Sequence, residues 1–326
     1  MTKATPKVSI LIPTYNQQNF IGACIGGALA QTYGNLEVIV SDDASTDATG
    51  DIARQLTIDP RLRYERNPTN LGHIGNYRRL LNDLATGEWF LMSDGDDLLL
   101  NPHYIARAVE LSQLQPDIVL VFGKQLIGAD VASASVNNAA PGLPAVMDGS
   151  AFFLEHPPFL GIEPKALTTL VRRKAAVDID FYRYQILSSD FESYYRLMVG
   201  HRIAFLDEIS GLWRQHKGNL SKSRSFEIYR DNFRAIVGPY EHAQSLGIFS
   251  PAELQSWLRR SAGRYTLFCL RRLMMAGRVW DAAKLIAFMS RVDAGIIGHA
   301  LARVARRTQR GLNDRLGISG EDGGRR

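Results

Sequence analysis

The chain has 326 residues, 45% hydrophobic and 22% charged, with a formal net charge of +5. That apolar content excludes a disordered chain and suffices for one large α/β domain with an extension. Its two cysteines, Cys24 and Cys269, lie far apart and outside any CxxC pattern, which argues against a disulfide framework or a zinc site and fits a reducing compartment. The charge is uneven: residues 251–326 hold 15 Lys/Arg against 6 Asp/Glu, so the basic character belongs to the tail.

In chain order, "KVSILIP" (7–13) is a short β-branched run that reads as a first strand and not as a signal peptide. Helical spacing of Phe20, Ile21, Cys24, Ile25 and Leu29 predicts a helix over 19–33. "LEVIVSD" is a second strand, and "STDATGDIARQL" a helix with Ser45 as N-cap. "RLRYERN" is a third strand; a helix over roughly 73–85 and the strand "EWFLMSD" follow. This alternation predicts a mostly parallel sheet covered by helices on both faces. "NPHYIARAVELSQLQ" is a helix with Pro102 in its first turn, and "DIVLVFG" another strand. Residues 128–149 are small, polar and turn-rich, a surface loop or short hairpin. From about 226 the pattern is helical throughout, giving a catalytic-size unit over 1–225 and a basic helical extension over 226–326. No stretch reaches the ~18 uninterrupted apolar residues of a membrane span.

Ligands of open parallel sheets bind outside the carboxyl ends of the strands. Two acidic clusters fall there, "SDDAST" (41–46) and "SDGDD" (93–97). Crowded carboxylates repel, and a cation relieves the repulsion. Such oxygens suit Mg²⁺ or Mn²⁺ completed by substrate phosphates. A solvated turn is the plainer alternative for "DGDD" taken alone. An EF-hand is excluded by Leu98 and Leu99, where that loop needs Asp or Asn and then Gly.

The segments "VSILIPTYNQQNFI", "QTYGNLEVIVSDDASTDAT", "NLGHIGNYRRLLNDLATGEWFLMSDGDD" and "SSDFESYYRL", in that order, resemble the family 2 glycosyltransferases of the GT-A fold over about residues 7–220. The resemblance implies that Pro13, Tyr15 and Asn16 line a base and ribose pocket, with Asp43, and Asp42 behind it, bonding the base or ribose. Asp42 as a cap for the helix near Ser45 is the competing reading. Arg78 falls where the family often has a basic residue near the diphosphate; its neighbour Arg79 leaves open which arginine points inward. In Asp94, Gly95, Asp96 and Asp97 the resemblance makes Asp96 the direct metal ligand, and Asp94 or Asp97 a contact to sugar, ribose or metal-bound water. "LWRQHKGNLSKSRS" (212–225) resembles the family's loop after the catalytic residue: His216 would meet metal or diphosphate, and Arg214 and Lys217 neutralise phosphate.

Glycosyl transfer also needs a base for the acceptor hydroxyl, and a positioned carboxylate serves. Asp190 aligns with the family's base position, although Ser189 stands where an acid is more frequent. A plain helix cap competes for Asp190, and Glu192 is a rival base. A base opposite the leaving diphosphate implies inversion, as in inverting hydrolases.

The expected function is therefore metal-dependent, inverting transfer of a sugar from a UDP-, dTDP- or GDP-linked donor to a glycan or lipid-linked acceptor, in surface polysaccharide or lipopolysaccharide assembly. The alternative is a non-catalytic nucleotide-sugar-binding protein of the same fold. A sugar nucleotidyltransferase or Rossmann dehydrogenase would need a Gly-rich phosphate loop after strand one, which "PTYNQQNF" lacks. The tail interleaves Trp257, Phe268, Trp280 and Phe288 with Arg259, Arg260, Arg271, Arg272, Arg303, Arg306 and Arg307. Packing on the catalytic unit competes with peripheral attachment at the inner face of the cytoplasmic membrane; nucleic acid is not expected as a partner.

Overall fold

The buried run Val8–Thr14 forms the strand β1, and every residue in it is inaccessible because helices cover both faces. The computed structural model describes residues 5–137, 142–159, 161–219 and 224–304. After β1 come α1 (Ile21–Leu29), β2 (Leu36–Asp42), α2 (Thr49–Gln55), β3 (Leu62–Arg66), α3 (His73–Arg79) and β4 (Trp89–Met92). There follow β5 (Leu98–Leu99), α4 (Tyr104–Ser112), β6 (Ile118–Gly128), β7 (Ser135–Asn137), β8 (Val146–Asp148) and α5 (Gly149–Glu155). The remainder is β9 (Thr169–Arg172), α6 (Arg173–Asp178), α7 (Ser189–Met198), β10 (Arg202–Arg214), α8 (Phe226–Asn232), α9 (Arg234–Leu246), α10 (Pro251–Met275) and α11 (Val279–Val292).

The main sheet path runs β3-β2-β1-β4-β9-β6-β10-β5. Strands β3, β2, β1 and β4 are parallel neighbours, and β6 is parallel to β10. One reversed strand, β9, joins the two groups by antiparallel pairing to β4 and β6. The register puts Thr14 beside Asp42, and Leu11 beside Met92. Both acidic loops therefore leave the sheet on the same edge as the end of β1, as the alternation predicts.

Tertiary bonds trim the predicted helices. The helix expected over 19–33 ends at Leu29. Beyond it, the Gln31 side chain donates to the Asn101 carbonyl and accepts from the Ile105 N–H. Ser45 does not cap a helix: α2 begins at Thr49, and the Ser45 hydroxyl accepts the Asn16 N–H instead. Pro102 precedes α4, which begins at Tyr104. Within 128–149 the hairpin alternative holds for β7, which pairs back onto β6.

The C-terminal helices share a core with the sheet's covering helices. Trp257 of α10 is fully buried, its ring stacked 4.3 Å from Phe153 of α5 and its Nε1 donating to the Phe153 carbonyl. Ser250 and Glu253 form a reciprocal capping box that starts α10 with Pro251 in its first turn. Arg303 lies in the helical stretch 294–304, while Arg306 and Arg307 lie outside the described residues. No helix among the described residues is long and apolar enough to cross a membrane.

Candidate active site

The wall at the ends of β1 and β2 is a hydrogen-bonded clasp. Asn16 has φ 52°, a left-handed conformation that Asn tolerates better than most residues. Its Oδ1 accepts the Thr46 N–H at 2.8 Å, so the side chain ties the two loops together, while Tyr15 is 48% exposed at the rim. The Pro13 carbonyl accepts the Gly95 N–H at 3.1 Å. A Cβ on Gly95 would lie 2.3 Å from the Gln17 Oε1 and 2.9 Å from the Thr14 Oγ1, so only glycine lets the two loops approach this closely.

Asp42 and Asp43 are both buried and both engaged with protein. Asp42 accepts from the Ser45 N–H (2.8 Å), the Tyr64 hydroxyl (2.7 Å) and Arg66 (3.0 Å). The Ser45 bond closes an Asx turn, which is a loop role and not a helix cap. Asp43 accepts from Asn67 Nδ2 (2.6 Å) and from the N–H groups of Leu71 (2.7 Å) and Gly72 (2.9 Å). Asp43 therefore fixes the turn that starts α3, where Gly72 takes φ 76°.

The second acidic loop faces three different partners. Tyr77 of α3 hydrogen-bonds Asp94 through its hydroxyl. Asp96 lies 2.7 Å from His216 Nε2, and Asp97 accepts the Arg214 N–H at 3.0 Å. Burial first, then the Asp96 charge, pushes Asp94 up to about 7. The same causes, with Asp94 added, hold Asp97 well above the usual carboxylate range. Phe20, just before α1, supports this side: its ring centroid is 4.6 Å from that of His216, and the Arg214 guanidinium lies 5.1 Å from it. Lys217 is exposed.

These residues fit a divalent cation. Asp96 and His216 offer an oxygen and a nitrogen whose side chains are 12% and 24% exposed, hence reachable from solvent. Among the described residues no group of three or more His, Cys, Asp or Glu is arranged to hold a metal. Two protein ligands leave the other positions to phosphate oxygens and water, the mode typical of nucleotide-bound Mg²⁺ and its analogues.

Asp190 lies in the first turn of α7, partly buried. Burial is the largest influence on its carboxyl and raises it to about 6, opposed by the N–H groups of Phe191 and Asp190 itself and by Lys165. It is close enough to Asp94 to raise that group in turn. The side chains of Ser188 and Ser189 make no capping bond to the helix. Glu192, two residues on, is fully buried and faces away from solvent: Arg196 Nε is 2.7 Å and Arg183 Nε 2.9 Å from its Oε1. Removing its charge would strand a buried Arg196. Glu192→Gln should therefore cost about 3 kcal/mol of stability while leaving turnover per folded molecule unchanged, checked by denaturant titration alongside initial rates.

Arg78 and Arg79 point to different places. Arg78 pairs with Asp180 at 2.7 Å and donates to the Tyr182 carbonyl. It thereby holds a loop in which Asp180 (φ 53°) and Tyr182 (φ 62°) are both left-handed. Arg79 donates to the Ser41 hydroxyl at 3.1 Å. Residues that sequence reasoning passed over also meet here. Tyr182 packs edge-on to Tyr77 at 5.1 Å, and the His73 ring lies 4.2 Å from that of Tyr77. The apolar spacing of α3 carries a signal for Tyr77, but none marks Tyr182.

The model of Glycosyl transferase family 2 matches residues 9–133, which hold the β1 end and both acidic loops. Over these residues, a little over a third of the chain, the sequence is similar to glycosyl transferase family 2. Glycosyltransferase GlyA of Streptococcus pneumoniae is 29% identical over 115 residues, 35% of this chain and 16% of that relative. The matched segments span between 16% and 34% of the first curated relatives, so the chain covers a minor part of their length. Among solved structures, S. aureus TarS 1-349 in complex with UDP-GlcNAc aligns with a TM-score of 0.62 at 17% identity, covering 90% of this chain and 89% of that one. Mannosyltransferase PcManGT from Pyrobaculum calidifontis, in complex with GDP-Man and Mn2+, aligns with a TM-score of 0.55 at 18% identity, covering 96% and 84%. The chain thus has the GT-A fold, with C-terminal helices present in addition.

Proposed function

We propose that this chain is a metal-dependent, inverting glycosyltransferase that moves a sugar from a nucleoside diphosphate to a hydroxyl of a cell-envelope glycan or a lipid-linked acceptor. The observation that supports the reading is the Asp96–His216 contact together with a carboxylate at the start of α7, Asp190, which burial raises to about 6 and which is near enough to Asp94 to raise it in turn. The GDP-Man and Mn2+ of the PcManGT structure and the UDP-GlcNAc of the TarS structure support the donor class.

In this reading the clasp of Pro13, Tyr15, Asn16 and Asp43 borders the nucleoside, and Arg214 lies toward the diphosphate. Asp96 and His216 would hold Mn²⁺ or Mg²⁺, which when bound neutralises charge on the departing diphosphate. Asp190 accepts the proton of the acceptor hydroxyl as its oxygen bonds to the anomeric carbon and the bond to the diphosphate breaks. A carboxyl titrating near 6 is ionised at neutral pH yet basic enough to assist, which is the compromise general-base catalysis favours. Attack from the Asp190 side, opposite the leaving group, inverts the anomeric centre. The site of action in this proposal is the cytoplasm, at the inner face of its membrane where the acceptor is lipid-linked.

The test is calorimetric titration of the purified chain with UDP, GDP and dTDP, each with Mn²⁺ and with EDTA. One nucleotide should bind at least about tenfold more tightly with Mn²⁺, a difference of about 1.4 kcal/mol. Absence of binding by all three would overturn the assignment.

A further inference from the structure

The turn between α10 and α11 exposes an unusual run of side chains. Trp280 is 83% exposed, Met275 71%, Val279 57% and Met274 54%, two adjacent pairs flanking Gly277 at φ 69°. None of them is covered by the helices beneath, which bury their other faces through Leu273, Ala282 and Leu285. Basic groups surround this tip. Residues 270–292 contain five Lys/Arg and one acid, Asp281, which is itself buried and engaged by Arg278 at 2.7 Å. On the adjoining face of α10 the Arg272 guanidinium lies 5.2 Å from the ring of the exposed Phe268.

Exposed apolar area on this scale marks an interaction surface. The charge pattern selects the partner. A second copy docking on the same face would oppose Arg271, Arg272 and Arg278 to their own symmetry mates, an unfavourable like-charge arrangement. A convex tip with Trp and Met at its point and cations around it suits the boundary between lipid headgroups and acyl chains, where indole rings sit at headgroup level and Lys/Arg meet anionic lipid. We propose that the α10–α11 turn docks this protein peripherally on an anionic lipid bilayer, with Trp280, Met275, Met274 and Val279 inserted and the exposed Arg271, Arg278 and Lys284 on the headgroups.

The docked turn is tied to α8. Arg278 donates to the Arg224 carbonyl just before α8, and Phe226 of α8 packs edge-on to Phe288 of α11. These contacts fix the turn to α8, and α10 and α11 share a core with the sheet's covering helices, so docking sets the orientation of the fold relative to the bilayer. Because α10 is built into the core through Trp257, truncation would damage the fold, and point variants at the tip are the appropriate probes.

Full-length protein should cosediment with phosphatidylcholine vesicles containing roughly a third phosphatidylglycerol about tenfold more than with pure phosphatidylcholine, and release at high salt. Vesicles should shift tryptophan emission to the blue in the wild type but not in Trp280→Phe. The double variant Met275→Glu/Trp280→Glu should lose about tenfold in vesicle binding with unchanged melting temperature and nucleotide affinity. The proposal is overturned if anionic vesicles are not bound, if the double variant binds them like wild type, or if sedimentation equilibrium shows a dimer that the double variant dissociates. Nucleotide titration without lipid is independent of all these readouts, so failure here leaves the donor assignment intact.

Discussion

Asp190→Asn is expected to lower kcat by about 10² or more while leaving nucleotide affinity within twofold of wild type, the signature of a lost general base. Donor titration and initial-rate measurement on the same preparation check this, and near-normal turnover would return Asp190 to a structural role in the first turn of α7. The wild type should show its own pH signature. Asp190 must be ionised to accept a proton, so kcat should fall as pH drops through about 6, the value to which burial raises it. Stability should move the opposite way. An unfolded aspartate releases its proton near 4 and the folded one near 6, so the unfolded chain binds fewer protons in between and the native state loses stability as pH rises through that window. Asp190→Asn removes this cost, and its melting temperature at pH 7 should be a few degrees above wild type. A gain in stability with a loss of turnover separates catalysis from capping, because removing a cap destabilises.

Asp96→Ala is expected to abolish the Mn²⁺-dependent part of nucleotide binding, bringing the affinity with Mn²⁺ down to that measured in EDTA. His216→Ala should weaken Mn²⁺ binding by about 10- to 100-fold, since one of two protein ligands is lost. Calorimetric titration of both variants with the nucleotide that wild type prefers decides the matter; unchanged affinity with and without Mn²⁺ would sink the metal assignment. A fold defect is not the expected cause of loss. The Asp96 charge raises both Asp94 and Asp97, so its removal relieves repulsion among buried carboxylates, and the melting temperature should hold or increase.

The alternation of short β-branched runs with amphipathic segments sufficed for the parallel β3-β2-β1-β4 unit and for placing both acidic loops on one edge. Period and strand direction alone dictate that much, because parallel neighbours need crossovers and their loops gather at the carboxyl ends. Resemblance in four ordered segments carried the expectation of a GT-A glycosyltransferase and the candidate site positions. Strand β9 was not legible: it is four residues long and reversed between β4 and β6, and its place depends on partners from two distant parts of the chain.

Side-chain assignments depended still more on long-range contacts. From sequence, Asp42, Asp43 and Asp96 are equivalent acids after strands, and Arg78 and Arg79 are adjacent bases on one helix. The folded chain differentiates them. Arg66 and Tyr64 engage Asp42, the Leu71 and Gly72 amides engage Asp43, and His216, 120 residues away, faces Asp96. Likewise Glu192 and Asp190 share one helix turn, yet Arg183 and Arg196 neutralise the first while burial without a cationic partner of that kind raises the second. Residue type and spacing determined by themselves which strands run parallel and where carboxylates collect. Only the tertiary structure decided which carboxylate is held by loop amides and which lies against His216, because hydrogen-bond partners and desolvation are properties of neighbours brought together by folding.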